Sequence, residues 1–174
     1  MMELSFSDIA QEKGIHEVDA FLDLVAKHGK KLRWYSKIAN DRTKPLEHIV
    51  SHPSVLIGFS DAGAHLRNMA FYNFPLRLLK LAQDAQKRGD EFMSIEQAIH
   101  RLTGEIGSWF QIDAGILKEG CRADIAIINP NELTEQLEAY EEDTIQGFGD
   151  FKRLVRRNPK TVPHVLVNGK IAVR

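Results

Sequence analysis

Between residues 5 and 28 the apolar positions recur at helical spacing. Ser7 is placed to cap a short helix that stops near Gly14. Val18, Phe21, Leu22 and Val25 then line one face of a second helix, which Gly29 is placed to end. Lys31–Lys37 reads as a short strand. Pro45 opens a helical turn that runs to His52, where Pro53 stops it. The run Val55–Phe59 is apolar without alternation, the pattern of a strand buried on both faces of a parallel sheet. Two longer amphipathic helices follow. One spans about 71–87, with Phe74, Leu78, Leu81 and Ala85 on one face. The other starts at Ser94, which forms a capping box with Gln97. Its apolar stripe is Ile95, Ala98, Ile99, Leu102, Ile106 and Trp109.

After residue 112 the period changes. Ile116–Leu117 and Ala123–Ile128 read as short strands around Gly120. Val165–Val167 and Lys170–Val173 flank Asn168-Gly169, which suits a two-residue type I′ hairpin turn because both positions need positive φ. The intervening 131–163 is charged, acidic over 138–143 and basic over 152–157, and reads as a long surface excursion with at most one helix. Strand–helix alternation followed by a β tail predicts an α/β parallel arrangement with a small separate sheet beside it. At most three strand–helix units are present. A closed eight-stranded barrel needs about 250 residues, so these 174 residues cannot close one alone.

Composition narrows the function classes. Apolar residues make up 43% and charged residues 27% of the chain, as in ordinary globular proteins. A net charge of -1, from 23 basic and 24 acidic residues, offers no basic face for nucleic acid. The single cysteine, Cys121, allows no intrachain disulfide and fits a reducing compartment. The N-terminus lacks a basic segment followed by an apolar one, and no window approaches the roughly 20 apolar residues of a membrane span. A soluble, cytoplasmic protein with neither a nucleic-acid nor a membrane partner is expected.

The candidate chemistry sits directly after the apolar run, in Gly58-Phe59-Ser60-Asp61-Ala62-Gly63-Ala64-His65. The C-terminal end of a parallel strand is where α/β enzymes place catalysis, and Gly63 permits a tight turn there. Taken on spacing alone, Ser60 and Asp61 serve equally well as turn or helix-cap residues.

GFSDAGAHL resembles the strand-eight motif of the amidohydrolase superfamily, in its D-aminoacylase-like branch. MSIEQAIHRLTGEIGSWFQI is similar to the helix that follows the barrel in those enzymes. DAGILKEGCRADIAIINP and VPHVLVNGKIAV resemble the passage into their accessory β-sandwich and its terminal strand pair. SFSDIAQEKGIHEVDAFLDLVAKHG resembles the helical region before strand seven. The likeness implies a partial (β/α) TIM-type barrel over 1–112, its last strand–helix units, and accessory β-sandwich strands over 113–174. It also implies a zinc-dependent hydrolase of N-acyl-D-amino acids or related amides. In that family the strand-eight aspartate lies at the zinc, takes a proton from the water the zinc activates, and passes it to the departing nitrogen. That role falls on Asp61, as catalytic group and metal neighbour. His65 and Arg67 are candidate substrate contacts, with a polar helix-start residue and a surface arginine as their plainer readings.

The family's other ligands are a His-x-His pair, a carboxylated lysine or equivalent acid, and two further histidines. The seven histidines here contain no His-x-His. One carboxylate and one histidine are too few to hold a catalytic zinc, so most ligands are expected from sequence N-terminal to this chain. The isolated chain is then expected to be inactive. The alternative is a non-catalytic split subunit that self-associates or pairs with an N-terminal half-barrel.

Other signals read as structural. His48 and His52 are four apart, but there is no HExxH and Pro53 follows at once, so both read as exposed or capping residues. Gly58-Phe59-Ser60-Asp61-Ala62 falls short of a nucleophile elbow at its last position. Gly115, Gly120 and Asp124 read as backbone-shaping residues of the tail, and Trp34 and Tyr35 as packing residues.

Overall fold

The computed structural model describes residues 4–36, 39–58, 60 and 71–173. Contacts divide the chain into two compact units, residues up to Asp41 and residues from Arg42 onward.

The first unit is a helical hairpin, α1 (Phe6–Lys13) and α2 (Glu17–His28). Ser5, not Ser7, caps α1. Its hydroxyl accepts from the Asp8 N–H while the Asp8 carboxylate accepts from the Ser5 N–H, a reciprocal box that a hydroxyl two residues later cannot form. Gly14, at φ 65°, ends α1, and the His16 imidazole caps α2 by accepting from the Val18 N–H. Phe6, Phe21 and Trp34 meet edge to face, with ring centroids 5.2 to 6.3 Å apart. Trp34 thus meets both rings but stays 57% exposed, and Tyr35, read with it as a packing residue, is 66% exposed. Residues 32–36 carry no strand.

The second unit begins with α3 (Thr43–Ser51). Its buried Glu47 receives Lys44 and Arg88 at 3.0 Å each, which ties α3 to the end of α4 (Phe74–Lys87). Burying a carboxylate is tolerable only with such partners. Leu78, Leu79, Ala82 and Ala85 form the buried face of α4. The core joins Leu78, Leu79 and Ala82 to Met93, Ala98, Leu133 and Leu137, with Val50, Ile57, Phe92 and Ile128 packed around them. Compactness therefore does not divide the chain near residue 112, since the 133–137 stretch shares its core with α4.

The Ser94–Gln97 capping box forms as expected and starts α5 (Ile95–Leu102). The helix does not run on to Trp109. Thr103 leaves helical backbone at φ -131°, and a separate α6 spans Gly104–Phe110. The cause lies downstream. The 112–115 turn folds back onto the helix, with the Ile112 N–H bonded to the Gly107 carbonyl at 3.0 Å. A Cβ on Gly107 would overlap the Ala114 carbonyl oxygen, and one on Gly115 would meet the Thr103 oxygen at 2.5 Å. The expected stripe is consequently broken, with Ile99 46% and Trp109 69% exposed. Alanine at Gly107 gains about 1 kcal/mol of helix propensity, but the overlap with backbone costs more, roughly 1–3 kcal/mol. Gly107→Ala is expected to lower the unfolding midpoint in a urea titration; a raised midpoint would show that this turn does not pack on α6.

The tail holds two small antiparallel sheets. β1 (Ile125–Ile127), β4 (His164–Val167) and β5 (Lys170–Val173) lie in the order β1-β4-β5. β2 (Glu141–Thr144) pairs with β3 (Lys152–Val155). The Asn168-Gly169 turn has positive φ at both residues, 49° and 74°, as expected. Ile116–Leu117 forms no strand. The 131–163 stretch is not a surface excursion with a helix. It holds the β2–β3 hairpin and two single-turn 3-10 segments, and it buries Leu133, Leu137, Val155 and Thr161.

Asp124 shapes the backbone, as its setting suggested. Its Oδ1 accepts from the Asn168 N–H at 2.8 Å, while the Ala123 carbonyl accepts from Gly169. The Asn168 amide holds the Asp124 carboxyl below the usual carboxylate range; burial opposes this and Arg122 assists. A depressed folded pKa means that the stabilisation is complete above the unfolded value, about 3.9, and is lost as pH falls through the folded value. Exchange protection of the Asn168 amide should hold from pH 7 to about 4 and drop in stronger acid. Asp124→Asn should abolish that acid step, and an unchanged step would move its origin elsewhere.

Candidate functional site

Asp61, His65 and Arg67 lie outside the described residues. What is described is the chain on either side of them and how it is held. Val55–Gly58, which leads in, carries no strand, since a parallel strand exists only beside a partner and no described segment supplies one. Its anchoring comes from side chains instead. Ile57 packs against the core. From α5, Arg101 reaches across with Nη2 donating to the carbonyls of His52 (3.2 Å) and Val55. Its Nη1 faces Glu105 at 3.5 Å. The His52 ring caps the same turn by accepting from the Ser54 N–H. That capping role agrees with the reading of the His48/His52 pair, whose rings stand 6.0 Å apart.

The outgoing stem is fixed as firmly. A 3-10 turn, Phe71–Asn73, leads into α4, where Pro75 supplies a preset φ in the first turn. Asn73 is buried and donates through Nδ2 to the Leu137 carbonyl at 2.9 Å. The Tyr72 hydroxyl accepts from the Arg156 N–H. Both stems of the segment that bears Asp61 are thus bonded to parts of the chain distant in sequence.

Arg101 and Asn73 were not singled out by sequence pattern. A signal existed for Arg101: it stands three residues after Ala98, on the inward side of an amphipathic helix, where a charge needs a reason. Asn73 gave none. Replacing Arg101 by Met keeps the apolar stem but leaves the Val55 carbonyl and the Glu105 carboxylate without this donor, while the His52 carbonyl keeps the Val55 N–H. A loss of about 2 kcal/mol is expected, read by chemical denaturation. Exchange protection of the Arg101 helix should fall less than that of residues 52–58; uniform loss would argue against a local anchor.

Beside the incoming stem lies an open, shallow depression lined by Pro53, Ser54, Leu56, His100, Glu105, Ser108 and Trp109. One Glu105 oxygen, Oε2, is buried without a partner among the described residues. Zinc requires three or four ligands from His, Cys, Asp or Glu. Among the described residues no group of three such side chains stands together, so they do not fit a zinc centre. Nor is any helix among them long and apolar enough to cross a membrane.

Three curated relatives match the chain. Two come from strains of Mycobacterium tuberculosis and one from Mycobacterium bovis, and each is described as an uncharacterized protein. Each is 50% identical over 171 residues, covering 98% of this chain. The chain spans only 28% of the length of these relatives. No family model matches it, and no solved structure does.

Proposed function

We propose that this chain is the C-terminal portion of a zinc-dependent amidohydrolase that cleaves a non-peptide C–N bond, with N-acyl-D-amino acids as its substrates. The observation that carries the reading is the Gly58–His65 segment, GFSDAGAH, directly after an apolar run. Two features of the molecule support it. The stems of that segment are pinned by Arg101 on one side and by Asn73 on the other, as a residue that must be held near a reacting bond requires. The relatives are also several times longer than this chain, which leaves room for the barrel strands and ligands that it lacks. In this reading Asp61 carries a proton from the attacking water to the leaving nitrogen, and His65 and Arg67 face the substrate, Arg67 toward its carboxylate. The parent fold is a (β/α) barrel with an accessory β-sandwich, and the protein is cytoplasmic.

The test combines two measurements on one sample: zinc by elemental analysis after dialysis, and hydrolysis across a panel of N-acyl-D- and N-acyl-L-amino acids. This chain alone is expected to hold no stoichiometric zinc and to turn nothing over. The complete protein is expected to hold zinc and to hydrolyse the D series. Absence of amide hydrolysis from the zinc-loaded complete protein would overturn the reading.

A second reading, a non-catalytic subunit that pairs with an N-terminal half, is favoured by the apolar side chains left in solvent around α6. It differs in one outcome, namely no hydrolysis from the assembled pair.

A further inference from the structure

The surface that runs from the depression across α6 is unusual for one that faces water. Within nine positions it presents Trp109, Phe110, Ile112, Ile116 and Leu117, each between 51% and 77% exposed. Trp109 also lines the depression, where Leu56 and Pro53 extend the apolar lining. Single exposed apolar residues are ordinary, but a clustered set marks a contact surface. Its shape is fixed in advance. The Gly107 and Gly115 contacts and the Ile112–Gly107 hydrogen bond hold the 107–115 turn against α6, so little ordering entropy remains to oppose association. The depression also holds one polar demand, since Glu105 Oε2 is buried with no donor among the described residues.

We propose that this surface is an interface for the polypeptide that the mycobacterial relatives carry outside their 171 matched residues. The occupant is an apolar element of that polypeptide. The length of the relatives argues for it. Nearly three-quarters of each relative has no counterpart in this chain, and a surface of this kind has to face something. A homodimer through the same patch is the competing occupant and is tested below by sedimentation. The inference deepens the second reading above, since both rest on the exposed side chains around α6, and its test measures capture and not hydrolysis, so its failure is distinguishable from failure of the hydrolase reading.

The experiment co-expresses the tagged 174-residue chain with the unmatched portion of the Mycobacterium tuberculosis relative. Expected is soluble co-purification at one to one, with slowed amide exchange over residues 104–117. Trp109→Asp and Leu117→Asp lie on exposed side chains and should leave the circular dichroism and melting of the chain alone unchanged. Each should cut the recovered partner at least roughly tenfold, as expected for residues central to an interface. Glu105→Gln should weaken capture less than either. Recovery of the partner in the insoluble fraction only, capture that ignores both aspartate variants, or a homodimer in sedimentation that Trp109→Asp dissolves would each overturn the proposal.

Discussion

In the zinc-loaded complete protein, Asp61→Asn is expected to lower kcat/KM for an N-acyl-D-amino acid by about 10²–10⁴-fold. The substitution keeps size and shape and leaves an oxygen that accepts hydrogen bonds. It removes only the capacity to take up a proton and release it again, so melting temperature should not move. An amide resists hydrolysis because its amine leaves poorly unless protonated, and the attacking water must lose a proton to become a competent nucleophile. One carboxylate that serves both needs in turn would make its loss felt in kcat more than in KM. The pH profile separates this role from a positioning one. If Asp61 is the base, the acid limb of kcat/KM disappears in the variant. If it only orients substrate, the limb stays and KM rises. Full activity in the variant would sink the assignment of Asp61 and, with it, the main support for the hydrolase reading.

How much of this molecule could be read in its sequence depended on the range of the forces involved. Local chemistry was legible. The Ser94–Gln97 box, the Gly14 and Gly29 stops and the Asn168-Gly169 turn each act over two to four residues, and each forms where the sequence places it. Features set at long range were not legible. The break between α5 and α6 is imposed by the 112–115 turn pressing against Gly107 and Gly104, and helical periodicity alone runs straight through it. The segments at 31–37 and 55–59 read as strands, the second as an apolar run, but a strand is made by its neighbour, and no strand is described in either. For the site, the motif pointed to Asp61, whereas the groups that pin its stems, Arg101 and Asn73, act across 46 to 64 positions. A polar residue with so distant a partner leaves no periodic trace.

Leu137→Ala is expected to destabilise the second unit by about 3 kcal/mol, within the 2–5 kcal/mol span for buried leucine truncation. Leu137 is one of the two largest fully buried side chains among the described residues, at 1% exposure. It sits with Leu78, Leu79, Ala82 and Leu133 in the core. Truncation removes packed methyl groups and leaves a void, because the wall opposite is the rigid face of α4 and cannot collapse to fill it. The backbone part of the site survives, since the Leu137 carbonyl still accepts from Asn73. The midpoint of thermal unfolding should fall by roughly 10 °C. Ile99→Ala is the matched control. Ile99 is also a large apolar helix residue, but it is 46% exposed, and its loss should cost no more than about 0.5 kcal/mol. The two variants decide between a surface excursion and a core element for residues 131–163. A cost below about 1 kcal/mol at Leu137, well under the usual range for a buried leucine, would return that stretch to the surface. It would also remove the support on which Asn73, and with it the outgoing stem of the Asp61 segment, depends. A cost near 3 kcal/mol would make the charged tail part of the scaffold that holds the candidate site.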